Sequence, residues 1–76
     1  MVIISRTELE RLRRQYPIGT RIELLQMDDP QAPPAGTTGT VVGIDDTGSL
    51  LVDWDTGSNL NVLYGIDSVR KIGNGE

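Results

Sequence analysis

The run from Gly36 to Leu60 reads Gly-Thr-Thr-Gly-Thr-Val-Val-Gly-Ile-Asp-Asp-Thr-Gly-Ser-Leu-Leu-Val-Asp-Trp-Asp-Thr-Gly-Ser-Asn-Leu, and it constrains the fold more than any other part of the chain. Asp-Thr-Gly occurs twice, at 46–48 and 55–57, and Asp/Gly chemistry of this kind makes tight hairpin turns. Between the two turns Leu50, Val52 and Trp54 share one parity, while Leu51, Asp53 and Asp55 share the other. Side chains alternate across a strand, so the first set predicts a buried face. The run therefore predicts strands at 38–45, 48–55 and 58–63, with Leu60 and Val62 continuing the apolar face. Val41 and Ile44 fall on opposite parities, and Gly43 between them marks a bulge that would turn a corner.

The flanks complete the pattern. Thr20 to Gln26 reads as a strand with Ile22 and Leu24 inward, Tyr64-Gly-Ile-Asp67 as a tight turn, and Ser68 to Ile72 as a last short strand. Ahead of them, Ser5-Arg-Thr-Glu8 fits a capping box, and Leu9, Leu12 and Tyr16 recur at spacings of three and four. Pro17 drives Tyr16 out of helical geometry. One helix is expected at about 6–15, too short to be stable unless its apolar stripe docks. The whole is expected to be mainly β: one domain over 1–76, with the helix region at 5–16, a small five-stranded barrel at 19–72 and a frayed tail at 73–76.

The composition removes whole classes of chemistry. The chain has no histidine and no cysteine, so Ser-His-Asp and Cys-His catalysis and His- or Cys-ligated zinc are excluded. No catalytic, cofactor-binding or metal-binding residue is assigned, and no enzyme or cofactor is expected. Val2-Ile3-Ile4 is too short for a signal-peptide core or a membrane span, which predicts a cytoplasmic protein with no membrane contact. The net charge of −4 hides a segregation. Residues 1–21 carry five arginines against two glutamates, while residues 22–69 carry eight carboxylates and no Lys or Arg. Such a chain reads either as an ordinary solvated surface or as a dipole with a basic helix and an acidic barrel.

With the strands placed, Gly36-x-x-Gly39-x-Val41, Gly48 and Val52-Asp-Trp54-Asp-x-Gly57 resemble the pattern of SH3-like and KOW-like barrels. Over nearly its full length the chain is also similar to a family of short bacterial domains of unknown function from phages and conjugative elements. The matching runs are Leu12-Arg-x-x-Tyr16-Pro17-x-Gly19-Thr20-Arg21, Met27-Asp-Asp-Pro30-x-Ala32-Pro33-Pro34-x-Gly36-Thr37-x-Gly39-Thr40-Val41 and Trp54-Asp-x-Gly57-Ser58-x-Leu60. This resemblance implies an accessory protein of a mobile element and carries over no catalytic residues.

Four candidates for function remain. The first is a protein-binding lip made by Met27, Asp28, Asp29, Pro30, Pro33 and Pro34, where a stiff loop loses little entropy on binding; the alternative is a purely structural connection. The second is Trp54 with Tyr64 as an aromatic groove for a proline-rich ligand, although the parity of Trp54 places it in the core. The third is carboxylate pairing, in Asp28-Asp29, Asp45-Asp46 and Asp53 with Asp55, the last with Asp45 or Asp46 as an ion site or an acidic patch; the alternative is turn chemistry. The fourth is nucleic acid, a frequent ligand of KOW-like barrels. It would need a basic patch from Arg6, Arg13, Arg14 and Arg21, and the charge of the barrel disfavours it. The expectation is a non-enzymatic protein-interaction module, monomeric or weakly dimeric. Its rivals are a weak nucleic-acid binder using the basic helix and an acidic decoy of a basic host protein.

Overall fold

The computed structural model describes residues 4–63 and 65–72; the expected frayed tail and the placement of Tyr64 lie outside them. The chain is mainly β. Helix α1 (Arg6–Gln15) precedes strands β1 (Arg21–Gln26), β2 (Thr38–Ile44), β3 (Leu50–Trp54) and β4 (Ser68–Lys71). The strands form one antiparallel sheet in the order β3-β2-β1-β4.

Helix α1 starts where its cap predicts. Ser5 Oγ accepts from the Glu8 backbone N–H at 3.1 Å, and the helix stops at Tyr16, whose φ of −126° and ψ of 68° leave the helical region ahead of Pro17. Only half of the capping box forms among the described residues. The Glu8 carboxylate accepts from Arg11 at 2.6 and 2.7 Å instead of reaching back to Ser5.

The sheet register follows the alternation of the sequence. Ile22, Leu24, Val41, Leu50, Val52, Trp54 and Val62 form the buried core, and Tyr16, Met27, Ile44 and Val69 pack half-buried against it. The register shifts between Val41 and Gly43, at the corner that opposite parities demand. A second shift, between Leu24 and Gln26, leaves Leu25 exposed and has no marker in the sequence.

Among the described residues the sheet has four strands and is not closed into the expected five-stranded barrel. The strand expected at 58–63 reduces to one antiparallel bridge, Leu50 with Val62, with both backbone bonds at 2.9 Å. The reason is local. The Trp54 indole N–H donates to the Leu60 carbonyl at 2.9 Å and Ser58 Oγ accepts from the Leu60 N–H at 3.4 Å, so this residue's backbone groups are taken before a ladder can use them. The flanking Asn59 and Asn61 also suit strands poorly. A short link joins the two edges. Val62 sits on the β3 edge and β4 begins at Ser68, and six residue steps span at most about 20 Å. Leu12 of α1 and Tyr16 at its C-cap line one cavity with Leu50, Val62 and Val69.

Candidate functional site

The loop that leaves β1 contributes one wall of a groove. Met27 packs against the core, and Asp28 and Asp29 follow it into solvent. Asp29 Oδ1 accepts from the Gln31 N–H at 2.8 Å, and its carbonyl accepts from Ala32 at 3.0 Å, so the chain turns sharply at Pro30. The opposite wall is the segment after the Val62 bridge. There Leu63 and Asp67 lock a short turn: the Leu63 N–H donates to Asp67 Oδ2 at 2.9 Å, and the Leu63 carbonyl accepts from Ile66 at 3.2 Å and from Asp67 at 3.1 Å. Gly65, at φ +77°, permits that reversal. The turn holds Leu63 and Ile66 outward, 45% and 60% exposed.

Between the walls lies a groove of about 230 Å³. Met27, Leu60, Leu63 and Ile66 supply its apolar surface, and Asp28, Asp29 and Asp67 its acidic margin. The expected lip is thus divided. Met27, Asp28 and Asp29 line the groove, whereas Pro30, Pro33 and Pro34 do not. Pro34 instead anchors the return to β2, its carbonyl accepting from the Thr37 N–H at 3.1 Å and the Thr37 hydroxyl at 2.6 Å. Leu63, Ile66 and Asp67 were missed as site residues, because Tyr64-Gly-Ile-Asp67 reads only as a turn. Two apolar residues beside a turn glycine were the available signal.

Of the four arginines of the expected basic patch, two are bonded to carboxylates and two stay exposed on α1. Arg13 donates to Asp46 Oδ1 and to the Ile44 carbonyl, both at 3.2 Å. Arg21 lies on the outer face of the sheet, opposite the core face that Tyr16 packs against. It grips Asp55 with two bonds, at 3.0 and 2.5 Å. Arg6 and Arg14 are exposed on α1 and make no salt bridge among the described residues.

Of the other carboxylates, Asp45 and Asp55 are bonded, whereas Asp53 is exposed and makes no salt bridge among the described residues. The hydrogen bond from Arg21, with a second from Thr38, holds the Asp55 pKa down to about 2. Asp45 Oδ1 accepts from Thr47 Oγ1 at 2.6 Å, Thr47 N at 3.0 Å and Ser49 N at 3.0 Å, and the Thr47 hydroxyl leads in lowering its pKa. Asp45 caps the first Asp-Thr-Gly turn, and Gly57, at φ +93°, closes the second. Trp54 is 1% exposed, in the core.

No described helix is long and apolar enough to cross a membrane. Comparisons with curated proteins and with solved structures found no match. A family model does match, over residues 5–72, from the helix cap through β4, and the chain belongs to that family, described as domain of unknown function (DUF4314).

Proposed function

We propose that this chain is a non-enzymatic, cytoplasmic protein-interaction module of a phage or other mobile element, built as an incompletely closed SH3-like barrel that contacts its partner through the Met27–Ile66 groove. The mobile-element setting rests on the sequence resemblance. The SH3-like reading is supported by two sheet edges joined by a five-residue link. The observation that carries the contact surface is the exposure of Leu63 and Ile66 at the mouth of an apolar groove. Apolar side chains held outward in a self-bonded turn lose little entropy when covered, which favours binding.

Affinity capture from a bacterial lysate tests the reading, comparing the wild-type chain with Leu63→Ser, Ile66→Ser and Val42→Ser. Val42 is 51% exposed and lies outside the groove. Partner protein retained by wild type and Val42→Ser, and lost from both groove variants, is expected. Equal capture by all four chains sinks the groove assignment.

A further inference from the structure

Resting on that reading, we infer that the groove's occupant is an extended segment of a partner protein that presents one aliphatic side chain flanked by lysine or arginine. Size comes first. Sites for drug-sized ligands span roughly 300–1,000 Å³. A groove of about 230 Å³ with an apolar floor suits a side chain or two, not a cofactor.

Charge then selects the flanks. Three acids are matched to bases across elements: Asp46 with Arg13, Asp55 with Arg21 and Glu23 with Arg70. The acids at the groove are not, and neither is the exposed Asp53 outside it. Asp28, Asp29 and Asp67 make no salt bridge among the described residues. Their internal bonds use only Asp29 Oδ1, for Gln31 N, and Asp67 Oδ2, for Leu63 N, so each carboxylate keeps an oxygen for an incoming donor. Nor do they converge on a point: no group of three carboxylates among the described residues is placed to hold a metal ion. Three separated anions around an apolar floor favour a peptide with several cations around an aliphatic anchor, in a chain whose net charge of −4 adds long-range attraction.

The test is fluorescence anisotropy with three labelled nine-residue peptides at low salt. One has a central leucine flanked by lysine and arginine. The second keeps the leucine and replaces every base with glutamate. The third keeps the bases and replaces the leucine with serine. Binding of the first is expected, with the other two weaker by about tenfold or more and the first weakened as salt screens exposed charges. The Asp28→Lys/Asp29→Lys chain should reverse the preference and take the glutamate peptide. Circular dichroism checks its fold, and Asp28→Asn/Asp29→Asn, which keeps the turn acceptor, is the fallback and should lose the salt dependence. Equal affinity for the basic and acidic leucine peptides overturns this inference and leaves the interaction reading standing. No binding by any peptide overturns it too, and groove-dependent capture from lysate then shows whether the interaction reading fails with it. Concentration-dependent self-association abolished by the Lys variant would make a second copy the occupant and also overturn it.

Discussion

At Gly39 a methyl group has nowhere to go. A Cβ there would lie 2.8 Å from Trp54 Cε3, 2.9 Å from Val52 Cγ1 and 3.1 Å from the Asp53 carbonyl oxygen. The residue is the register partner of Trp54, so its missing side chain is the space that the indole occupies. Gly39→Ala should therefore lower stability by about 1–3 kcal/mol as an overpacking change, seen as an earlier denaturant midpoint with an unchanged slope. In the sequence Gly39 is legible only as punctuation, because its cause is a residue fifteen positions away across a ladder. Asp55 belongs to this scale as well. Its folded pKa, about 2, lies below the ordinary 3.8, so the stabilisation from the Arg21 and Thr38 bonds is fully present above pH 3.8. It is lost as pH falls through about 2. Asp55→Asn should bring the melting temperature of the variant below wild type at neutral pH, with the gap narrowing between pH 4 and pH 2 in scanning calorimetry.

Among the elements, α1 is the most loosely held. None of its residues is buried. Its ties to the sheet include the half-buried Tyr16 at its C-cap, the Arg13 bond to Ile44 and the Lys71 ammonium, which donates to the Gln15 carbonyl at 3.0 Å and stands 5.7 Å from the Tyr16 ring centre. Ten residues do not sustain a helix alone, so α1 should open locally while the sheet stays shut. Hydrogen exchange should show α1 amides exchanging well before those of β1 and β2. Ser5→Ala should speed α1 exchange further, by an amount matching about 1 kcal/mol, and leave the sheet unaffected. The helix was readable from its cap, stripe and proline, and β1 to β3 from their parity. The strand at 58–63 was misread because alternation reports which side chains point inward. It does not report that Trp54 would claim the Leu60 carbonyl.

For the whole molecule, folding pairs part of the charge that the sequence sorts. Arg13, Arg21 and Arg70 each reach an acidic residue more than thirty positions away, and what looked like a basic end and an acidic body becomes a partly stitched surface. Exposed pairs of this kind contribute little stability each, so replacing Arg70 by glutamine should shift the melting temperature only slightly, by what 0–1 kcal/mol allows. What the pairing leaves without a salt bridge among the described residues includes Asp45, Asp53 and the acidic margin of the groove. That margin was half legible. Met27-Asp28-Asp29 stood out beside the proline loop, while the facing wall depended on a turn whose apolar residues point outward for reasons of local hydrogen bonding.

The bond that prevents the fifth strand has a practical consequence. Trp54 is the chain's one tryptophan, its ring is sealed in the core, and its indole N–H ends on the carbonyl of Leu60, a residue that lines the groove. An occupant that shifts the Leu60 backbone would alter that hydrogen bond and the electric field along the indole. The protein thus carries an intrinsic optical probe one hydrogen bond from its candidate contact surface. Its ultraviolet emission should shift on occupancy without any label being attached to the chain.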